Sequence, residues 1–335
     1  MKNVFILGGT GLLGYHTTLQ LLKKGYKVST ISLPPLPAPG LFPEEVSIQL
    51  GNMNEMSDEE IMKLLDGIDY FIYAAGADER IVPAAPSAKF FYEANVLPTQ
   101  RIARLAKKAG VKKFLIFGSY TAHFAEQWPD LQLYKQGYPR TRLVQEEIAM
   151  LEGEGEMEVM SLRLPYIFGT MPGRIPLWDM FLPQVEGKQF VPVLQGGTAM
   201  VTCKQVGQAA VGALENGTHC GKYTLCDTNM KYKEFFEIIA DVLGQKDTIV
   251  TIIPKEKEQE FTAQYDAHAA SQGKEHGIHL VIGSEIKDRD AYIDANIDVS
   301  ILQYEQDDVR AAIRESIQAC LDAKKTPTLS YNAKG

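Results

Sequence analysis

Short apolar runs alternate, through the first half of the chain, with longer segments in which apolar residues recur every three or four positions. The runs predict strands, which are Val4–Leu7, Val28–Ile31, Ser47–Leu50, Tyr70–Ala74, Phe114–Phe117 and Val159–Leu164. Three of these runs, Val4–Leu7, Tyr70–Ala74 and Phe114–Phe117, are apolar throughout, which is typical of strands buried on both faces. The periodic segments predict helices, chiefly at Ser57–Leu65, Ala88–Ala109 and Pro139–Leu151. Strands and helices that alternate on this spacing predict an α/β fold with a doubly wound parallel sheet.

The alternation loosens after about residue 171, where prolines interrupt the pattern. Helices are predicted at Lys204–Glu215, Tyr232–Leu243 and Asp307–Ala323, and a short strand at Ile249–Ile253. The segment Lys255–Asp290 is polar and rich in charge, so we expect it to form a surface excursion. The last dozen residues are expected to form a tail.

A chain of 335 residues is long for one simple core, so two domains are expected. The segments that continue the alternation of strands and helices are assigned to the larger domain, residues 1–172 and 198–222. The other segments, residues 173–197 and 223–335, are assigned to a smaller α/β domain. We expect the smaller domain to supply the substrate pocket.

The composition is that of a globular enzyme, with 45% hydrophobic and 23% charged residues. A formal net charge of −8 disfavours nucleic acid and anionic membranes as partners. The four cysteines form no C-x-x-C pair, and no metal-ligand spacing is found. The first strand begins by about residue 3, which leaves no room for a signal peptide, and no apolar run approaches the roughly 18 residues of a membrane span. We therefore expect a cytoplasmic protein that holds no metal.

A glycine-rich turn directly follows the first strand and opens the first helix, with the sequence Gly8-Gly9-Thr10-Gly11-Leu12-Leu13-Gly14. Its glycines fit both the G-x-G-x-x-G and the G-x-x-G-x-x-G spacing. In such turns the first glycine permits the tight bend, the second lets a pyrophosphate approach, and the third lets the helix lie close to the strand. The start of the helix offers free N–H groups and the positive end of a dipole to phosphates. We expect a dinucleotide site to which Gly8, Thr10, Gly11, Leu12 and Gly14 contribute.

Ligands of parallel sheets bind beyond the carboxyl ends of the strands. Small or polar residues follow these ends, and those assigned to the cofactor are Ser32, Asn52, Ala74, Ala75 and Gly76. Ser32 occupies the place where an NAD enzyme usually has a carboxylate for the ribose hydroxyls. Position 32 neither repels a 2′-phosphate nor is followed by an arginine that would bind one. NAD and NADP therefore both remain open, although the missing carboxylate favours NADP.

Several segments, in their order and spacing, resemble the extended short-chain dehydrogenase/reductases, the NAD-dependent epimerase/dehydratase group. The resemblance covers roughly residues 1–245, and its carriers are the glycine-rich turn, Asp69–Gly76, Asn95-Val96, Ala109–Phe114, Tyr138 with its helix, and Leu162–Gly169. It implies a Rossmann sheet, a bound NAD or NADP and a small-molecule substrate. It also implies that Asn95 lies near the active site, and Pro165 and Tyr166 near the nicotinamide. Relatives often dimerise through two long helices, so Ala88–Ala109 and Pro139–Leu151 could form a homodimer.

The chemistry of that family rests on a tyrosine and a lysine one helical turn apart, and the matching residues here are Tyr138 and Arg142. The tyrosine hydroxyl exchanges a proton with the substrate while hydride moves to or from the nicotinamide. A nearby cation must favour the phenolate, because a free tyrosine titrates at about pH 10. Arginine stays charged, but it is bulkier than the lysine ammonium that also holds the ribose in this family. We expect Tyr138 to be the general acid and base, with Arg142 as its cationic partner.

The family also places a serine or threonine after the fifth strand, where it orients the reacting carbonyl. Counting from the strand puts this place at Tyr120, with Ser119 and Thr121 on either side. Side chains alternate along an extended segment, so Ser119 and Thr121 share one direction. A shift of one residue gives the role to Ser119, which we select.

The sequence indicates less about the substrate than about the cofactor. Many relatives grip a nucleotide diphosphate with an arginine followed by an aspartate pair, which residues 196–205 lack, and Arg174 is the nearest candidate replacement. The segment Ile175–Phe181 is apolar and aromatic and would suit a less charged substrate. The leading hypothesis is an NAD(P)-dependent oxidoreductase or epimerase/dehydratase that acts on a sugar or other small alcohol. The alternative is a dinucleotide-binding protein of the same fold that has lost this chemistry and senses redox state or binds a partner.

Overall fold

The computed structural model describes residues 2–325 of an α/β protein. Its strands are β1 (Asn3–Leu7), β2 (Lys27–Ser32), β3 (Ser47–Leu50), β4 (Tyr70–Tyr73), β5 (Lys113–Ser119), β6 (Glu158–Leu164), β7 (Tyr166–Phe168), β8 (Phe190–Val193), β9 (Gly197–Thr202), β10 (Lys222–Thr224), β11 (Thr228–Lys231), β12 (Ile249–Ile252) and β13 (Asp290–Ala291). Its helices are α1 (Leu12–Lys23), α2 (Asp58–Leu64), α3 (Ser87–Phe91), α4 (Leu97–Lys108), α5 (Tyr120–Gln127), α6 (Gly137–Gly153), α7 (Leu182–Val185), α8 (Cys203–Asn216), α9 (Tyr232–Val242), α10 (Lys255–Ser271), α11 (Leu280–Asp288), α12 (Val299–Leu302) and α13 (Val309–Lys325). Every strand predicted from the sequence is present, with ends that differ by at most two residues.

Among the described residues, seven strands form one sheet in the order β10-β6-β5-β4-β1-β2-β3, and every neighbouring pair is parallel. In the middle, Val4 of β1 pairs with Val28 of β2 on one side and with Tyr70 of β4 on the other. The chain runs outward from β1 through β2 to β3 and then crosses back to β4. This reversal opens a crevice beyond the carboxyl ends of β1 and β4, which is where ligands of such sheets bind. The doubly wound parallel sheet predicted from the sequence is confirmed.

Apolar side chains cover both faces of this sheet. On one face the rings of Phe71 and Phe114 stack with their centroids 4.8 Å apart. On the other face Ile6 and Leu115 are fully buried. This double burial explains the continuous apolar runs of the strands. The sequence did not reveal β10, because its three residues alternate polar and apolar character too briefly to form a pattern.

A second sheet is formed by β7, β9, β11 and β13, and β8 pairs with β12. Aromatic rings fill the core beside these strands, where Trp178 stacks on Phe168 with centroids 4.5 Å apart and Phe181 contacts Phe235 at 5.3 Å. The pairing of β9 with β11 joins a strand that, apart from Gly197, is assigned to the larger domain to a strand assigned to the smaller one. The domain boundaries themselves stay a prediction.

The polar segment that we expected to form a surface excursion contains two helices, α10 and α11, which pack against each other. α10 is largely exposed, and Ala269 is its buried residue. The turn between the two helices reaches the start of α6, where the N–H of Tyr138 donates to Gly277 O at 2.8 Å. Nearby, the N–H of Ser87 donates to the Glu275 carboxylate at 2.6 Å. The segment therefore supports the helix that carries Tyr138.

A buried ion network fastens α6 to the sheet. Arg163 of β6 pairs with Glu146 of α6 at 2.8 Å, and their side chains are 3% and 1% exposed. Glu146 also accepts a hydrogen bond from the Ser161 hydroxyl at 2.7 Å. On its other side Arg163 pairs with Glu126 of α5 at 2.6 Å. Because α6 carries Tyr138 and Arg142, this network fixes their position relative to β5 and β6.

The remaining predictions of helix ends can be compared directly. Ser57 and Glu60 form a capping box at the start of α2. The last helix, α13, continues to Lys325, so it includes the first two residues of the predicted tail, and the other residues of that tail lie outside the described residues. Within residues 2–325, no helix is both long and apolar enough to cross a membrane.

Candidate active site

The glycine-rich turn needs glycine at its first and last positions. Gly8 has a φ of +92°, and its N–H donates to Ile31 O at 2.8 Å. A Cβ at Gly14 would lie 2.3 Å from Gly8 O, so α1 rests directly on the turn. A Cβ at Gly11 would meet, among the described atoms, just Gly8 O at 3.2 Å, which leaves this side of the turn open. The open side is where a ligand can approach the backbone.

The start of α1 points at this open side. α1 begins at Leu12, and no side chain of the described residues caps it at Gly11. The N–H groups of its first turn lack partners within the helix and carry the positive end of the helix dipole. A diphosphate supplies the charge and the acceptors that this helix end requires.

Polar residues hold the turn from both sides. The N–H of Thr10 donates to Ser32 Oγ at 3.1 Å, and Ser32 is 6% exposed. Thr10 O accepts a hydrogen bond from Arg174 Nε at 3.2 Å. The segment that carries Arg174 crosses the loop after β2, since a Cβ at Gly173 would lie 2.0 Å from Pro37 O. Ser32 therefore supports the turn, and Arg174 brings a cation to it.

A cavity of about 260 Å³ opens beyond the carboxyl ends of β4, β5 and β6. The predicted site residues that line it are Ala74, Ala75, Gly76, Ser119, Tyr138, Arg142, Pro165 and Tyr166. Leu13 of α1 also lines it, so the cavity reaches the glycine-rich turn. A second cavity, of about 320 Å³, lies at the far end of α1 and is lined by residues that include Lys24 and Glu215 but none of the predicted site residues. The smaller cavity is therefore the candidate active site.

Tyr138 lies in the cavity wall at the start of α6 and is 4% exposed. Its ring packs edge-on against Phe91 with centroids 5.3 Å apart. Burial raises the pKa of Tyr138 to about 12, while the charge of Arg142 acts in the opposite direction and that of Glu79 adds to the increase. Interaction with the Ser119 side chain also lowers this pKa, which places Ser119 beside the phenol. At neutral pH the Tyr138 hydroxyl is therefore a proton donor.

Arg142 is 5% exposed, and its guanidinium carbon lies 5.7 Å from the centroid of the Tyr138 ring. One terminal N–H donates to Phe117 O at the end of β5. Its Nε is buried and has no hydrogen-bond partner among residues 2–325. Arg142 thus brings a positive charge, with a donor left to satisfy, to the inner wall of the cavity.

The choice between Ser119, Tyr120 and Thr121 depends on which of them faces the cavity. Ser119 and Tyr120 both line it. The Ser119 hydroxyl caps α5 by accepting the N–H of Thr121 at 3.2 Å, and it lies 2.9 Å from Thr121 Oγ1. The Tyr120 hydroxyl accepts a long hydrogen bond of 3.4 Å from Thr198 Oγ1. Ser119, being beside Tyr138, is better placed to orient a carbonyl group.

Two asparagines assigned to the cofactor are engaged elsewhere. Asn95 is fully buried in a π-helical turn, Tyr92–Val96, between α3 and α4. Its side chain accepts the N–H of Ala77 at 2.7 Å and donates to Ala77 O at 2.9 Å, so it holds the loop after β4. Asn52 caps a short 3₁₀ turn by accepting the N–H of Asn54 at 3.1 Å. Contact of either residue with a cofactor stays a prediction.

Sequence reasoning missed the charged residues of the loop after β4. Asp78, Glu79 and Arg80 line the cavity. The small residues Ala74–Gly76 indicate a cofactor at this loop, and the charged residues follow them by two positions. Their position directly after the buried strand β4 was the signal, because side chains at carboxyl strand ends face the ligand crevice.

One group of three metal-ligand side chains occurs among residues 2–325, at Glu154, His219 and Cys220, with ligand atoms within 4.8 Å of one another. The Nδ1 atom of His219 accepts the N–H of Val159 at 3.1 Å, so Nε2 carries the ring proton. Nε2 lies 3.3 Å from the Glu154 carboxylate and donates to it. Since the protonated nitrogen faces the group, this arrangement does not favour a metal ion.

The parallel sheet and the glycine-rich turn define a class of α/β proteins with a dinucleotide-binding fold, and comparison with known proteins specifies the family. The model of the NAD dependent epimerase/dehydratase family matches residues 4–199, which is more than half of the chain. The chain belongs to this family.

Curated relatives are distant. The human sterol-4-alpha-carboxylate 3-dehydrogenase, decarboxylating, is 25% identical over 187 residues, which cover 52% of this chain and 48% of that protein. A UDP-glucose 4-epimerase from Cyamopsis tetragonoloba is 26% identical over 181 residues, which cover 48% of this chain and 51% of that protein. The chain thus matches about half the length of these relatives.

Solved structures agree with the fold over nearly the whole chain. The UDP-glucose 4-epimerase of Bifidobacterium longum, in complex with NAD+ and UDP, superimposes with a TM-score of 0.67 and 17% identity over 98% of this chain and 99% of that one. The structure of gox2253 gives a TM-score of 0.76 and 18% identity over 96% and 98%. At these identities the likeness establishes the fold.

Proposed function

We propose that this protein is an NAD(P)-dependent oxidoreductase or epimerase/dehydratase that acts on a hydroxyl or carbonyl group of a sugar or other small alcohol. The observation that carries the proposal is the cavity in which Tyr138, Ser119 and Arg142 meet, next to the open side of the glycine-rich turn. A bound nicotinamide dinucleotide would supply the hydride donor or acceptor. Titration with dinucleotides, followed by a turnover screen with aldehydes, ketones and nucleotide sugars, tests the proposal.

The roles follow from the positions of the three side chains. Tyr138 Oη gives a proton to the substrate oxygen in reduction and takes one in oxidation. Ser119 Oγ donates a hydrogen bond to that oxygen and orients it. Arg142 stabilises the phenolate by its charge, and its unpartnered Nε can donate to a ribose hydroxyl.

The residues around the glycine-rich turn fit a dinucleotide. The uncapped start of α1 would hold the diphosphate, with Gly8, Thr10, Gly11, Leu12 and Gly14 shaping the turn. The strand ends at Ser32, Asn52 and Ala74–Gly76 would border the rest of the cofactor, and Pro165 and Tyr166 the nicotinamide. A solved relative holds NAD+. We propose that NADP is also accepted and is preferred, because Ser32 lacks the charge that would repel a 2′-phosphate.

A second candidate function is a dinucleotide-binding protein without dehydrogenase chemistry. The arginine at position 142 and the raised pKa of Tyr138, about 12, favour it. Both candidates bind dinucleotide, so turnover separates them. In either case we propose a cytoplasmic protein that binds a small molecule and not nucleic acid, in keeping with its net charge of −8.

Arg174 is proposed to contact the cofactor diphosphate, because its Nε lies 3.2 Å from Thr10 O at the start of α1. Replacing Arg174 by glutamine is expected to lower dinucleotide affinity about tenfold, the effect of losing one charge-assisted hydrogen bond. Lysine, which keeps the charge but not the planar donor geometry, should lose less. Isothermal titration with NADPH and ADP-ribose measures the change.

Two comparisons make this test specific. Adenosine lacks a diphosphate, so its affinity should be the same for wild type and for Arg174→Gln. Arg104→Gln serves as the matched control, since Arg104 is 62% exposed and pairs with Glu152 on the surface. An equal loss of affinity for adenosine and ADP-ribose would contradict the assignment of Arg174 to the diphosphate.

A homodimer through α4 and α6 is also proposed. Exposed apolar side chains lie on or beside these helices, with Leu97 41%, Val144 38% and Leu151 59% exposed. Val144 and Leu151 are seven residues apart and therefore share one face of α6. A second copy of the chain would cover this face.

Replacing both Val144 and Leu151 by glutamate is expected to convert the dimer to a monomer, because like charges would face each other across the interface. Light scattering coupled to gel filtration measures the mass. Phe261→Glu is the control, since Phe261 is as exposed as Leu151, at 59%, but lies on α10, outside the proposed interface. A monomeric wild type, or a double variant that stays dimeric, would contradict this interface.

A further inference from the structure

Glu79 is a carboxylate in the cavity wall that has no role in the proposed chemistry. It follows Asp78 in the loop after β4 and lines the cavity. Protein surrounds it on several sides, but its side chain is exposed because it faces the cavity. The loop is held in place by the two hydrogen bonds between Asn95 and Ala77. A fixed loop presents the carboxylate at a defined position.

The other charged residues of the cavity are Asp78, Arg80 and Arg142. Arg80 Nε donates to Asp78 Oδ1 at 2.9 Å, so these two charges offset each other. Arg142 is deeply buried and donates to Phe117 O. Among residues 2–325, Glu79 takes part in no ion pair within 4.0 Å. A ligand that enters the cavity therefore meets the exposed Glu79 carboxylate, whereas the Arg142 charge lies buried in the inner wall.

This charge acts on the proposed catalytic group. The Glu79 carboxylate contributes to the raised pKa values of Tyr138, Tyr120 and Tyr166, so it lies within electrostatic reach of all three hydroxyls. The protein around the exposed carboxylate and the charge of Asp78 raise the pKa of Glu79 itself, and the charges of Arg80 and Arg142 lower it. A test at pH 8 favours the ionised carboxylate.

The size of the cavity limits the substrate as well. Its volume of about 260 Å³ lies below the roughly 300–1,000 Å³ of sites that enclose drug-sized ligands, and a nicotinamide ring would take part of it. Leu177, Trp178 and Met180 form an apolar wall of the cavity. The remaining space suits a small compound with one apolar side.

We infer that Glu79 selects the substrate by charge, and that the cavity takes small uncharged or cationic carbonyl and hydroxyl compounds rather than nucleoside-diphosphate sugars. A hydroxyl group of the substrate donates to the Glu79 carboxylate and a cationic group is attracted to it by charge, while a diphosphate is repelled. The inference rests on the proposed function, since it names the substrate class of the same cavity.

Three aromatic aldehydes of similar size test this inference, because their rings suit the wall at Trp178. They are 4-carboxybenzaldehyde, 4-(hydroxymethyl)benzaldehyde and (4-formylphenyl)trimethylammonium. In each reaction NADPH gives a hydride to the aldehyde carbon and Tyr138 gives a proton to the oxygen, which yields an alcohol and NADP+. Turnover at pH 8 is followed by the loss of NADPH absorbance. The wild type should convert the neutral and cationic aldehydes at least about tenfold more efficiently than the anionic one.

Substitutions at position 79 test the role of the charge. Glu79→Gln should reduce the difference between the cationic and anionic aldehydes to within about threefold, and Glu79→Lys should reverse it. Glu59→Gln is the matched control, since Glu59 is exposed on α2 away from the cavity, and it should behave like the wild type. A preference that Glu79→Gln leaves unchanged would overturn the inference.

Binding provides a second measurement that does not require turnover. The chain has two tryptophans, so a Trp128→Phe background leaves Trp178 as the fluorescent reporter in the cavity wall. In this background the aldehydes should bind the dinucleotide-loaded protein in the same order. Micromolar binding of UDP-glucose, or binding of none of the three aldehydes, would overturn the inference about the substrate. A protein that fails to bind dinucleotide would instead refute the proposed function.

Discussion

Replacing Tyr138 by phenylalanine is expected to lower turnover by about 100- to 10,000-fold, the range that a positioned general acid or base contributes. The substitution removes the hydroxyl and keeps the ring that packs against Phe91. Dinucleotide affinity should change by less than about twofold, because the phenol acts in the chemical step rather than in binding the cofactor. Steady-state kinetics with the best substrate of the screen, together with a dinucleotide titration, measures both effects.

Tyr134→Phe is the control for this substitution, because Tyr134 is 49% exposed and lies outside the cavity. Its turnover should equal that of the wild type. If Tyr138→Phe retained full turnover, Tyr138 would not be the proton donor. The dinucleotide-binding alternative would instead show no turnover in either protein.

The pH dependence of the reaction follows from the same residue. With a pKa of about 12, the Tyr138 phenol stays protonated through the neutral range, so carbonyl reduction should depend little on the ionisation of Tyr138 below about pH 10. Alcohol oxidation needs the phenolate and should rise about tenfold per pH unit until the pKa is reached. The difference in tyrosinate absorbance between wild type and Tyr138→Phe locates the pKa in the protein without dinucleotide.

Replacing Arg163 by methionine is expected to lower the free energy of unfolding by about 3–5 kcal/mol. The substitution leaves the Glu146 carboxylate, 1% exposed, buried without its cationic partner. Urea denaturation followed by circular dichroism measures the change. Arg104→Met is the control, since the pair of Arg104 with Glu152 is solvent-exposed and should contribute at most about 1 kcal/mol.

A double substitution separates the charge from the packing. Adding Glu146→Leu to Arg163→Met should restore most of the lost stability, because an apolar pair of similar volume often replaces a buried ion pair without loss. Equal stability of Arg163→Met and wild type would show that the network does not anchor α6.

The sequence predicted the central sheet because each of its longer strands is buried on both faces. The run Val4–Leu7 is apolar throughout, and all of it lies in the protein interior. β10 was not predicted because it is a strand through its pairing with β6, and its three residues are too few to show a strand pattern. The π-helical turn at Tyr92–Val96 was also missed, since an extra residue in one helical turn does not disturb a periodicity read over twenty residues.

The candidate site was predictable where chemistry is tied to a local motif. Tyr138 and Arg142 are four residues apart in one helix, and Ser119 ends the adjacent strand; the resemblance to the family singled them out, and all three line the cavity. Their catalytic roles stay a prediction. The position of Arg174 at the glycine-rich turn depends on a contact between residues 164 positions apart, which a single sequence does not show. Glu79 was missed because the other walls of its cavity come from segments that are distant in the sequence.

The hydrogen bond from the N–H of Tyr138 to Gly277 O connects the start of α6 to the turn between α10 and α11. The position of the Tyr138 phenol therefore depends on this pair of helices. Loop grafts or deletions made between residues 255 and 288, a stretch that looks freely exchangeable on the outside of the molecule, would tilt the first turn of α6 and with it the phenol. Engineering of this protein should therefore treat residues 255–288 as part of the structure that positions the proposed proton donor.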